Sequence, residues 1–353
     1  MILQKIIRGE ANFGVSQRIP FIHLYSNNTS YLTNGKIYMA GFNPNKALPL
    51  SVELTRLNKN NQIQTNNLSP VNVTVSAYSN LLKVYEWYKT NLSWDSIDGK
   101  GQCITCFIVP ESAAFLKKVG ISGGMVEDNA FCTSVTSSQA RLLNSTFPEL
   151  PTIKNAVLVI PTSFNKTKYP VAVKLDVIGH EFTHGVFLCK TGVRTIECTE
   201  AGGINEAYAD IFGCLIEGNW IVAENAFGIN KPIRNLTSSS IAKYKSAQYN
   251  SYSNEEHDIS MTLSRVAFLM SQRGFSNTDI AKIWFKSLDG SWSKTSTFVN
   301  ARTNVINAMR ALGYKPAKIT VAENCFKEMG ILLPGETMPG GGGGAGRAIA
   351  MLK

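Results

Sequence analysis

The chain has 353 residues, 35 Lys and Arg against 25 Asp and Glu, a net charge of +10, and 44% hydrophobic residues. That length holds a large two-lobed enzyme domain or two smaller cores, and no apolar run reaches the roughly 18 residues of a membrane-spanning helix. The basic residues are scattered and form no run, so a soluble basic protein without a nucleic-acid partner is expected.

The N-terminal MILQKIIRGEANFGVS breaks its short apolar runs with Gln4, Lys5 and Arg8. It does not look like a signal peptide, so a mature form or another export route is expected. Residues 31–42 and 48–57 alternate as strands, and the Asn-rich 58–61 and 65–67 read as turns. His23, outside the later histidine cluster, is expected to be structural. Residues 75–91 form a helix with Leu82, Val84, Tyr85, Trp87 and Tyr88 as core material. After the breakers Asp95, Asp98, Gly99 and Gly101, residues 103–109 resume as a strand. An irregular stretch with Gly120, Gly123 and Gly124 follows. A short strand covers 129–132, the Ser/Thr/Asn-rich 133–154 reads as a loop, and 156–160 as a short buried strand.

The next stretch carries the chemistry: Asp176-Val-Ile-Gly-His180-Glu181-Phe-Thr-His184-Gly185. His180 and His184, four apart, share one helical face and can grip one zinc ion. Glu181 is then placed to handle the proton of a metal-activated water. Downstream, Glu206, Asp210 and Glu217 fall in a narrow stripe of a second helix, among Ile211, Phe212, Leu215 and Ile216. Carboxylates in such a helix want a metal or an ion partner. Glu206 is the candidate third ligand, and two histidines with one glutamate leave a fourth position for water, as in catalytic zinc sites. Asp210 is placed to accept a ligand histidine's free ring N–H. A loop over about 224–256 precedes helical patterns at 261–270, 280–285, 299–312 and 321–329. The glycine run in 339–347 reads as a flexible linker, either a docking or export element or a plain chain end.

Seven cysteines leave at least one unpaired in a monomer. Cys103 and Cys106 lie in a strand-like run with no second C-x-x-C pair, so structural thiols or a neighbouring disulfide are expected. Cys189 and Cys198 bracket a short loop and can bridge in an oxidising compartment. Cys214 reads as a small buried hydrophobe.

DVIGHEFTHGV followed by GGINEAYADIFG resembles the thermolysin-like neutral metalloproteases. The aromatic stretch 83–99, the strand at Asn129, Ala130 and Phe131, and Arg234, His257 and the last helices also resemble that family, over roughly residues 70–332. The resemblance implies an α+β, two-lobed fold: a β-rich lobe over 1–175, a helical lobe with the zinc site over 176–333, a cleft between them, and a flexible tail over 334–353. It implies a zinc-dependent endopeptidase, acting as a monomer on protein or peptide substrates. It also implies that the Asn129 side chain and the Ala130 carbonyl hold the substrate backbone, that Arg234 contacts the substrate, and that His257 stabilises the oxyanion with help from Glu255, Glu256 or Asp258. Val171, Val177 and Ile233 would line an apolar pocket for the residue after the scissile bond. Asp176 and Glu217 match calcium ligands; with Glu224, Asn225 and Asn230 they suffice for one ion at most. Relative to the family, 133–154 looks like an insertion beside the cleft.

Three departures stand out. The family's second oxyanion donor, a tyrosine, has Glu197 or Cys198 in its place. The segment before Glu206 is two residues longer than usual. Tyr252 stands where an aspartate normally orients the active-site histidine. Two alternatives follow: a signal-less effector or toxin peptidase with a narrow target, and a weakly active peptide-binding pseudopeptidase. Secretion is the expected destination, with injection as the other route.

Overall fold

A mixed sheet forms the N-terminal part, and helices make up most of the rest. The computed structural model describes residues 2–10, 16–26, 29–33, 35–41, 70–109, 130–146, 150–161, 174–194, 198–226, 230–252 and 255–338. The sheet contains β1 (Ile2–Glu10), β2 (Ser16–Ser26), β3 (Thr29–Thr33), β4 (Ile37–Gly41), β5 (Ile104–Val109), β6 (Phe131–Ser134) and β7 (Ala156–Pro161), in the order β1-β2-β3-β4-β5-β7-β6. β1 to β4 form an antiparallel meander; β5 runs parallel to β4 and to β7, and β6 closes antiparallel on β7. ITCFIV and AVLVIP, the sequences of β5 and β7, are nearly continuous apolar runs, as strands covered on both faces require. β6 is left at the edge.

The expected strand over 31–42 is divided between β3 and β4. β4 is preceded by Gly35 at φ 85°, a left-handed turn conformation that outweighs the alternation on either side. His23 lies in β2, its backbone paired with Leu3 and Leu32. The expected strand over 48–57, the turns at 58–61 and 65–67, and the linker over 339–347 lie outside the described residues.

Helix α1 (Pro70–Leu92) buries Tyr78, Leu81, Val84, Tyr85 and Tyr88 at helical spacing. The expected loop over 133–154 contains a helix, α2 (Ser137–Thr146). Thr136 and Gln139 bond reciprocally at its start, Ala140 and Leu143 are buried, and Asn144 holds both the N–H and the carbonyl of Ile153. The Ser/Thr content that suggested a loop is partly the cap of a helix. Arg194 donates to the Val135 carbonyl, so α2 begins near the C-terminal end of α3 (Leu175–Thr191).

α3 and α4 (Glu200–Glu217) pack together at the centre of the molecule. Their crossing depends on two glycines. A Cβ on Gly213 would stand 2.6 Å from the Asp176 carbonyl, and one on Gly179 would stand 3.3 Å from the Gly213 Cα. Only bare backbone permits this approach. Phe182 and Phe212 then meet Tyr88 of α1, with ring centroids at 5.2 and 5.7 Å. The Tyr88 hydroxyl bonds Thr183 Oγ1, which donates to the Gly179 carbonyl.

The remaining elements are β8 (Ile221–Val222), β9 (Arg234–Asn235), α5 (Ala247–Ser251), α6 (Glu256–Gln272), α7 (Asn277–Ser287), α8 (Phe298–Ala311) and α9 (Pro316–Glu328). The segment after α9 is fastened by Arg302, a buried guanidinium that donates to the Ile331 carbonyl and to both carboxylate oxygens of Glu336. The Arg302 bonds hold the Glu336 carboxyl down at about 2, from an ordinary 4.5. A depressed carboxylate stabilises the fold above its unfolded pKa and loses that contribution as pH falls through the folded one.

Two outcomes are expected. Gly213→Ala gains about 1 kcal/mol of helix propensity but overpacks against backbone, for a net loss of about 1–3 kcal/mol in urea unfolding. Glu336→Gln is less stable than the wild type by about 2 kcal/mol near neutrality. In unfolding titrations that gap closes as pH falls from 4.5 towards about 2.

Candidate functional site

The α3–α4 crossing brings His180, His184 and Glu206 together. His180 Nε2 lies 3.0 Å from His184 Nε2 and 3.2 Å from Glu206 Oε2, and His184 Nε2 lies 3.5 Å from Glu206 Oε1. Among the described residues, these three form the group whose His, Cys, Asp or Glu donor atoms converge closely enough to hold a metal ion. The ring planes stand at 89° to each other, so the two nitrogens approach a common point from different directions.

The surroundings set the lone pairs. Asp210, fully buried on α4, lies 2.9 Å from His180 Nδ1 and accepts its N–H, which turns the unprotonated Nε2 toward Glu206. The neighbouring Asn205 side chain favours the charged form of the His184 ring, against the effect of burial. Glu206 Oε2 is buried without a satisfying hydrogen bond. Two imidazole lone pairs and a carboxylate facing one point repel one another unless a cation lies between them. The donor set is that of a catalytic zinc site, and the residues present fit zinc.

The charges agree with this fit. Burial opposes ionisation of Glu206, but His184 and His180 beside it hold its carboxyl far below the usual range. Burial pushes the His180 ring down, yet its bonds to Asp210 and Glu206 outweigh that and raise it to about 10. Burial lowers His184 to about 4. Without a metal, one proton on His180 does the neutralising that a divalent cation would do more fully.

Glu181 points toward the edge strand β6. Its Oε2 accepts the backbone N–H of Cys132 in the edge strand β6, at 2.8 Å. Burial raises its carboxyl to about 7. Gly185 makes room for this contact: a Cβ there would meet Ile97 at 2.8 Å and the Cys132 sulfur at 3.3 Å. The Cys132 N–H has no signal in the sequence, because any residue in that strand position would supply it.

His257 lies inside the first turn of α6, since the helix begins at Glu256, ahead of the pattern expected over 261–270. Its Nε2 stands 3.3 Å from Glu206 Oε2, and its Nδ1 stands 2.6 Å from Glu255 Oε1. Of the three neighbouring carboxylates, Glu255 therefore orients the ring. Glu256 instead accepts the N–H of Cys198 at 2.7 Å. Tyr252, in the aspartate's place, bonds Gln248.

Arg234 is nearly buried and grips Asp210, with Nε on Oδ2 at 2.7 Å and one terminal nitrogen on Oδ1 at 2.6 Å. Expected to face substrate, it serves first as the partner of Asp210. Ala130 is buried just ahead of β6; Val177 is half-buried, and Ile233 is 37% exposed, a large apolar side chain open to solvent. Asn129, Val171 and Glu197 lie outside the described residues.

All seven cysteines are free thiols, the expected Cys189–Cys198 pair included. Cys198 is exposed and sits in a left-handed conformation at φ 57°. Asp176 and Glu217 belong to no converging metal group among the described residues.

The profile of the family described as "Thermolysin metallopeptidase, alpha-helical domain" matches residues 198–331, which hold Glu206, Asp210, Arg234 and His257. Residues 198–331 are thus similar to the helical domain of the thermolysin metallopeptidases. Thermolysin of Alicyclobacillus acidocaldarius subsp. acidocaldarius is 28% identical over 192 residues, covering 47% of this chain and 34% of that protein. Bacillolysin of Bacillus cereus is 26% identical over 181 residues, covering 44% and 32%. The matched part thus spans about a third of those relatives (34% and 32%). The precursor of protealysin, a metalloproteinase from Serratia proteamaculans, shares the fold at a TM-score of 0.57 and 16% identity, over 87% of this chain and 91% of that one.

Isothermal titration is expected to find one zinc site per chain. Asp210→Asn leaves the ligands in place but weakens zinc binding by about 10–100-fold, and Glu206→Gln weakens it more.

Proposed function

We propose that the chain is a zinc-dependent endopeptidase. The supporting observation is the convergence of His180, His184 and Glu206 beside a buried carboxylate, Glu181, that is bonded to the edge strand β6. His180, His184 and Glu206 would hold the ion. Zinc bound there supplies Lewis acidity, polarising a scissile carbonyl and making water a usable nucleophile near neutral pH.

The chain's own residues do the rest. An extended peptide adds to the exposed edge of β6 by main-chain hydrogen bonds, with Asn129 and Ala130 at its start as backbone contacts. Glu181 takes a proton from the attacking water and delivers it to the leaving amine; its raised carboxyl suits a group that must both accept and release a proton near neutrality. His257, its Nδ1 held by Glu255, aims Nε2 into the site as donor to the developing oxyanion. Arg234 stiffens Asp210, which fixes the His180 tautomer, and its remaining nitrogen is available to a substrate carbonyl. Val177 and Ile233, with Val171 assigned to the same lining by the family resemblance, would favour a bulky hydrophobic residue after the scissile bond, at about 1–3 kcal/mol per methylene-sized difference. Protein or peptide is the substrate class, with a monomer as the working form outside the producing cell. Among the described residues no helix is long and apolar enough to cross a membrane.

One observation favours a weaker catalyst. Glu197 or Cys198 stands where the family has a second oxyanion donor, neither carries a tyrosine hydroxyl, and the Cys198 backbone N–H is engaged by Glu256.

A quenched-fluorescence peptide assay separates these readings. Wild-type signal is expected to vanish with 1,10-phenanthroline, and Glu181→Gln should lower kcat by about 10²–10⁴-fold while retaining zinc. Equal signal in all three samples refutes the peptidase reading.

A further inference from the structure

Family resemblance implies calcium near the N-terminus of α3, and the residues there do not fit it. Asp176 is buried with both carboxylate oxygens engaged by backbone: Oδ1 accepts the N–H of Val177 at 2.8 Å and Oδ2 that of Ala223 at 2.5 Å. Glu217, its expected partner, is exposed at the end of α4. Asn225 Oδ1 accepts the backbone N–H of Asn230 at 2.6 Å, so one of the two side-chain amides meant to complete the shell is already engaged. Glu224 Oε1 accepts from the Asn219 side chain at 2.6 Å. Calcium needs six to eight oxygens at about 2.3–2.6 Å, and the described residues gather no such set.

A cation is nevertheless present. Lys174, directly before α3, brings its ammonium 2.5 Å from the Glu224 backbone carbonyl and 3.6 Å from Glu224 Oε2. Its side chain is only 20% exposed. We propose that the Lys174 ammonium takes the place of a structural divalent ion, so that the turn after α4 is pinned by an internal cation and needs no calcium. An ammonium offers three donors with tetrahedral directions, enough for Glu224 but too few to bind all three acids. Asp176 is handled otherwise, by main-chain N–H groups. A divalent ion placed among these groups would also meet the repulsion of Lys174 itself.

The pinned turn matters to the site. Ala223 is anchored on Asp176, and Val222 pairs with Arg234, which in turn holds Asp210 against His180.

Thermal unfolding of the zinc-loaded full chain, with zinc occupancy measured in every sample, tests this without reference to peptidase activity. The wild-type midpoint is expected to be the same with and without millimolar calcium. Terbium, as a calcium probe, should show no emission sensitised by Trp220. Lys174→Met should lower the midpoint by several degrees, and Lys174→Arg should recover most of the loss. A wild-type midpoint that rises saturably with calcium overturns the proposal, as does terbium emission displaced by calcium or a Lys174→Met protein as stable as wild type. If Lys174→Met does not fold, the calcium and terbium titrations of the wild type decide alone.

Discussion

Everything at the site depends on how closely α3 approaches α4. The histidines are on one helix and the carboxylates on the other, so the separation of the two backbones sets where their side chains meet. Gly179 and Gly213 remove the side chains that would keep the backbones apart. The aromatic layer of Tyr88, Phe182 and Phe212 seals one side of the crossing and excludes water. Apolar packing thus supplies the stability, while the glycines determine the distance at which the polar groups meet.

Charge balance then follows from position. Glu206 and Asp210 are buried acids, costly unless paired. Arg234 answers Asp210 with a two-armed grip; Glu206 faces two imidazoles and is answered best by a metal ion. Glu181 has no such partner. Its carboxylate accepts a single strand N–H, and burial keeps its affinity for protons high. Neighbouring glutamates therefore differ in proton affinity, Glu206 held charged and Glu181 raised to about 7.

Three peripheral segments converge on this centre. β6 reaches Glu181 through the Cys132 N–H, the β8–β9 turn reaches Asp210 through Arg234, and the start of α6 reaches Glu206 through His257. Each connection is one or two hydrogen bonds long, so small shifts in these segments alter the catalytic groups without touching the core. The proposed Lys174 clamp lies at the root of one of them.

Some of this was legible along the chain. His180, His184 and Glu206 follow from helical spacing, and the helices from apolar periodicity, because both are local properties of consecutive residues. The buried runs of β5 and β7 are legible for the same reason. Other features were not: α2 hid behind Ser and Thr that serve as its cap, and the β3–β4 turn behind alternating residues on both sides. The choice of Glu255 over Glu256 and Asp258 depends on where α6 begins, the grip of Arg234 on Asp210 joins residues 24 apart, and the Cys132 N–H is a main-chain group that no residue type announces. The sequence by itself determined which side chains can bind a metal and on which helices they ride. Only the tertiary structure decided their distances, their proton partners and which cation sits beside Glu224, because these depend on groups brought together by packing and not by neighbourhood in the chain.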